Sequence, residues 1–147
     1  MVEVIPGSLY TKIKDKLSKQ IDTSKLPLYG EKEIYKITAE RYGKVKIRLD
    51  VETDIEVIKS IENYQDPSNK KNFYTYNWEV EEEKLPRDFE RHIKPEILEF
   101  INILSVFGKN NEDVLRFSIV DGDYKNTEKP GHRMAVHFAL IELFNQL

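Results

Sequence analysis

Apolar and polar positions along the chain alternate with two distinct periods. Val45, Ile47 and Leu49 alternate with Lys46, Arg48 and Asp50, a period of two that predicts a strand over 44–51 with one face covered. Ile34 and Ile37, set around Tyr35 and Lys36, predict a less regular strand over 33–38. Residues 39–43 then form a turn and make the two strands a hairpin candidate. Tyr74, Tyr76, Trp78 and Val80 share one face of a third strand over 73–80. Leu115, Phe117 and Ile119 alternate with Arg116 and Ser118 and predict a fourth over 114–120, which Asp121-Gly122 interrupts.

Elsewhere the period is helical. Phe89, Ile93, Ile97, Phe100, Ile101 and Leu104 form one stripe, predicting a helix near 86–107 that opens at Pro86, bends at Pro95 and stops at Gly108. Met134, Ala135, Phe138, Ile141 and Leu143, widened by Val136, Leu140 and Phe144, predict a helix over 133–146 that needs a sheet to cover it. Leu9, Ile13, Leu17 and Ile21 recur every four residues after a capping Ser8, predicting an amphipathic helix packed on the domain surface. Ile55, Ile58 and Ile61 fit a short helix or an irregular segment. Residues 1–5 read as a short strand, Pro6-Gly7 as a turn, and 66–71 as an exposed loop.

Composition narrows the class. A chain of 147 residues with 33% charged and 39% hydrophobic positions supports one well-cored domain. It contains no cysteine, which excludes a disulfide scaffold and a thiolate metal site. No apolar run approaches a membrane span and no signal-peptide pattern opens the chain, so a cytoplasmic soluble protein is expected. Residues 1–48 carry a charge balance of +5 and residues 49–147 one of −8, which together make the net −3. A solvated lysine-rich face explains the basic third more simply than nucleic-acid attraction.

Three segments, in order, resemble domain IV of elongation factor G and elongation factor 2. Tyr42-Gly43-Lys44-Val45 is similar to that family's second strand, and Leu85-Pro86-Arg87-Asp88-Phe89 to the step into its long helix. Asp121, Gly122 and Tyr124, followed by Ala135, Ala139 and Phe144, are similar to its last strand, tip loop and last helix. The resemblance implies an α+β two-layer sandwich, a four-stranded mixed sheet with two main helices on one face. Here residues 1–30 would be an N-terminal extension with its own helix, and 31–147 the domain. It also implies a working tip built from residues 81–85 and 121–133, and a ribosome- or RNA-associated role in translation. The departures fall on that tip. Glu82-Glu83 stand at the family's paired glycines and Lys125 at its histidine. No phosphate-binding G-x-x-x-x-G-K-[ST] loop occurs, so no nucleotide partner is expected.

Candidate chemistry is sparse. His92, His132 and His137 show no metal-binding spacing, and Asp121 and Asp123 lack the further ligands of a calcium loop, so neither metal nor cofactor is expected. Tyr74, Tyr76 and Trp78 read as core, with a base-stacking platform as the alternative. The resulting expectation is a non-enzymatic binding module. Its candidate contact residues are Lys125, Lys129, His132, Arg133, Asp121, Asp123, Tyr124, Glu81, Glu82 and Glu83. A protein partner unrelated to translation is the second reading, suggested by the three glutamates. The third is a small enzyme in which Asp121, Asp123, His132 and Glu82 converge as an acid–base group.

Overall fold

A computed structural model describes residues 10–11, 13–64, 74–107 and 113–147. The expected strand over 1–5, the cap at Ser8, the loop 66–71 and the stop at Gly108 lie outside the described residues. The fold is an α+β two-layer sandwich. Strands β1 (Leu28–Lys36), β2 (Arg41–Val51), β3 (Tyr74–Trp78) and β4 (Leu115–Asp123) stand in the order β1-β2-β4-β3. A two-residue strand, β5 (Lys129–Pro130), pairs with the start of β2. The helices are α1 (Lys14–Leu17), α2 (Ile55–Tyr64), α3 (Glu90–Phe107) and α4 (His132–Phe144).

The sheet is mixed. β1 and β2 form the expected antiparallel hairpin, in register from Leu28 opposite Leu49 to Lys36 opposite Arg41. β2 runs antiparallel to β4, while β3 runs parallel to β4, so α3 is the crossover between them. β1 begins at Leu28, earlier than the expected strand over 33–38. Its Gly30 lies directly under α4: a Cβ built there would sit 2.0 Å from the Ala139 carbonyl oxygen. That close approach, rather than a turn, is what glycine permits here.

The inner face is one hydrophobic layer. Val45, Ile47 and Leu49 of β2, and Leu115, Phe117 and Ile119 of β4, are fully buried against Ile93, Ile97, Phe100 and Leu104 of α3 and Leu140, Leu143 and Phe144 of α4. Phe100, Phe117 and Phe144 meet at ring-centroid distances of 5.1–6.4 Å. Tyr74, Tyr76 and Trp78 pack against this core, and the Tyr74 ring stacks on Phe117 at 5.6 Å. Met134 and Phe138 depart from the expected stripe and stand at the solvent boundary of α4. The helix turns its smaller Ala135 and Ala139 toward the sheet, which lets it approach closely.

Among the described residues the N-terminal segment holds one α-helical turn, and Tyr10, Ile13, Leu17 and Ile21 are all buried in the same core. The Lys16 ammonium donates to the carbonyls of Asn145 and Leu147 beyond the end of α4. Opposite the helices, the other sheet face is polar and internally paired. Arg48 meets Glu79 at 2.6 Å and Arg116 meets Glu52 at 2.9 Å. Burial opposes ionisation of Glu52, but bonds from Thr75 and the Asp54 and Thr53 amides, with the Arg116 charge, outweigh it and leave its pKa below the ordinary value.

Candidate functional site

The tip of the sheet forms where β4 outruns its expected end. Val120 is an extra residue in β4: Ile119 faces Ile47, but Asp121 already faces Lys46. Such a bulge shifts the phase of the strand by one. Without it, the alternation that buries Ile119 would carry Asp121 to the core face. With it, Gly122 faces inward opposite Val45, and Asp121 and Asp123 turn to the polar face beside Lys46 and Lys44. The strand continues to Asp123 where Asp121-Gly122 had suggested a break.

Gly122 is also the seat of the second tip loop. Residues 82–84 make a turn in which the Glu81 carbonyl accepts from the amides of Lys84 and Leu85. The buried Leu85 then lies against Gly122, where an added Cβ would come within 2.7 Å of its Cδ2. Lys84 reaches Asp121 at 3.7 Å, an exposed pair of small energetic weight. Glu82 accepts the Arg87 amide in front of α3, and the side chains of Glu81, Glu82 and Glu83 are exposed. The two loops separated by about 40 residues of sequence therefore share one end of the sheet.

The second part of the tip is aromatic. The Tyr42 hydroxyl lies 2.7 Å from a Glu33 carboxylate oxygen and 3.2 Å from one of Asp123. It has one proton, so the closer Glu33 is the main acceptor. Burial first, then the Glu33 bond and both carboxylate charges, push the Tyr42 phenol well above its ordinary pKa and keep it protonated. The Lys125 ammonium stands over two rings, 4.5 Å from the centroid of Tyr35 and 4.7 Å from that of Tyr42. β5 fixes the return of the loop: Lys129 donates its amide to Glu40, and Gly131 donates to Tyr42. The side chain of Lys129 projects into solvent.

The expected site residues thus divide. Asp121, Asp123, Tyr124, Lys125 and Lys129 come together with Glu81, Glu82 and Glu83 at one end. His132 lies beneath them, fully buried. Its Nε2 is 2.8 Å from the Asp123 carbonyl, its ring is 4.9 Å from that of Phe89, and its Nδ1 has no partner among the described residues. Burial holds its pKa below the ordinary value. Arg133 turns to Glu96 of α3 at 2.6 Å instead of joining the tip loops. The acid–base group weighed above has its members tied elsewhere: Asp121 to Lys84, Asp123 to Tyr42 and its neighbour's amide, Glu82 to Arg87, and His132 to a backbone carbonyl.

Sequence reasoning passed over three participants, Tyr35, Tyr42 and Glu33. Tyrosines on the two arms of the hairpin were the available signal, since the register places the exposed Tyr35 across from the buried Tyr42. Among the described residues no group of acidic and histidine side chains is arranged to hold a metal ion, and no helix is long and apolar enough to cross a membrane.

No family model matches the chain, and no curated protein matches it. Among solved structures, a protein from Thermus thermophilus aligns over 80% of this chain at 15% identity, with a TM-score of 0.46. The chain spans 14% of that protein's length. A likeness this distant carries no assignment of family or activity.

Proposed function

We propose that the chain is a non-enzymatic binding module whose tip engages a basic segment of a partner protein. The charge arrangement of the tip carries this reading. Glu81, Glu82 and Glu83 are exposed on the turn, and Asp123 adds its charge at the end of β4. Of the expected cations, Lys84 reaches Asp121, Lys125 stands over two tyrosine rings and Arg133 turns away to Glu96, while Lys129 projects into solvent. Affinity for RNA rests on cations free to neutralise phosphates, and an acidic rim opposes it. A lysine- or arginine-rich protein segment is complementary to that rim. The resemblance to domain IV of elongation factor G, which made the ribosome or RNA the first expectation, supports a tip-borne role without fixing the partner.

Opposed charge variants test the reading. The purified protein is titrated calorimetrically with an arginine- and lysine-rich peptide near 0.15 M salt. The triple change Glu81→Gln, Glu82→Gln, Glu83→Gln is expected to abolish binding, while Lys125→Glu with Lys129→Glu preserves or tightens it. Loss of binding in the lysine variant with none in the glutamine variant would overturn the proposal. Cosedimentation with ribosomes that persists at this salt and is lost in the lysine variant would favour the RNA reading instead.

A further inference from the structure

The layer formed by α3 and α4 is not left open. Described residues between 10 and 26 pack on it, with Tyr10, Ile13, Leu17 and Ile21 buried in the common core, Tyr10 against Phe100 and His137, and Lys16 bound to carbonyls just past α4. At one end of this segment is a buried chain of polar groups. The Tyr10 hydroxyl is 2.7 Å from Nδ1 of His137, and Nε2 of His137 is 2.7 Å from Oε2 of Glu96. The latter contact is close in distance without the alignment of a good hydrogen bond. Arg133 then meets the other Glu96 oxygen at 2.6 Å. Tyr10 also packs its ring on Phe100 at 4.5 Å. Tyr10, His137 and Glu96 are each at most 5% exposed, which is unusual for ionisable groups.

We propose that residues 10–26 form a strap locked by the hydrogen bond from Tyr10 to neutral His137, and that protonating His137 undocks it. The reason lies in the atoms. With its ring proton on Nε2, toward Glu96, His137 presents the lone pair of Nδ1 to the Tyr10 hydroxyl. A second proton occupies Nδ1 and removes that acceptor. The Tyr10 hydrogen is then left in a buried place where Nδ1 was its partner among the described residues. The groups facing His137 are Tyr10 on the strap, Glu96 and Glu99 on α3, and Arg133 on α4. Burial, with the Arg133 charge, lowers the His137 pKa against the raising effect of Glu96 and Glu99, and the balance leaves it below the ordinary value. A strap that leaves returns the imidazole to water, so protons favour the undocked form. Undocking uncovers the apolar stripe around Phe100 while leaving the sheet intact.

Hydrogen–deuterium exchange on the full chain between pH 7.5 and pH 5 tests this. After correction for intrinsic rates, protection of the strap amides should fall below about pH 6.5, approaching about tenfold per pH unit for one proton. The amides of β2 and β4 should keep their protection. His137→Gln should flatten the pH dependence, and Tyr10→Phe should reduce strap protection at pH 7.5 with the sheet unchanged. Strap protection that is constant with pH, or that falls only together with the sheet, overturns the proposal. So does a His137→Gln protein with the wild-type slope, or a Tyr10→Phe protein with wild-type protection.

Discussion

Gly30→Ala isolates the contact on which the two layers depend. The new Cβ would stand 2.0 Å from the Ala139 oxygen, 2.9 Å from its carbonyl carbon and 3.0 Å from the Leu143 Cβ. Contacts of Cβ atoms essentially never fall below 3.0 Å, so α4 must retreat by about 1 Å or β1 must bend away. The two nearest obstructing atoms are backbone and cannot rotate aside. Overpacking a tight core typically costs about 1–3 kcal/mol. Replacing glycine by alanine returns about 0.4–1 kcal/mol by restricting the unfolded chain. The net expected loss is therefore about 1.3 kcal/mol. For a chain of this size that lowers the Tm by roughly 3–5 °C and the urea midpoint by about 0.7 M. Gly131→Ala supplies the comparison, since its Cβ would meet neighbours at 3.2–3.3 Å and should cost less. Thermal and urea unfolding of the two variants measure the difference. A Gly30→Ala protein as stable as wild type, or more stable than Gly131→Ala, would refute the packing of α4 on β1.

Phe117→Ala removes the ring that lies between Tyr74, Phe100 and Phe144, and should cost about 3–5 kcal/mol, visible as a lower urea midpoint. Glu52, held by the Thr75 hydroxyl, the Asp54 amide, the Arg116 charge and the Thr53 amide, sets an acid dependence. Because Glu52 has a lowered folded-state pKa, its contribution is complete above its ordinary value, near 4.5, and is lost as pH falls through the folded value. Glu52→Gln should therefore destabilise at neutral pH and converge with wild type in stronger acid. Equal stability of the two proteins at pH 7 would contradict that sign.

The parts of the fold that follow a single period were legible in the chain. Val45, Ile47 and Leu49 keep strict alternation because one face of β2 is wholly buried, and Ile93, Ile97, Phe100 and Leu104 keep the helical stripe for the same reason. Legibility failed where the backbone changes phase or where geometry is set from afar. The extra residue Val120 shifts β4, so Asp121 and Gly122 look like a break although the ladder continues. Gly30 looks like a turn residue because a one-dimensional reading shows nothing of α4 above it. β5 is too short to have a period. The candidate site is a similar mixture. Glu81, Glu82, Glu83, Asp121, Asp123, Lys125 and Lys129 could be named from loop positions, whereas the pairing of Arg133 with Glu96 depends on how two helices pack. Tyr10, Glu96 and His137 come from three separate segments, and no local spacing could have joined them.

The most direct test of a protein-binding acidic tip is an amide chemical-shift map, recorded at about 0.15 M salt with a basic peptide and, separately, with single-stranded RNA. Shifts confined to residues 81–84 and 121–125 with the peptide, and none there with RNA, are the expected result. Shifts at those residues with RNA and none with the peptide would contradict the proposed function.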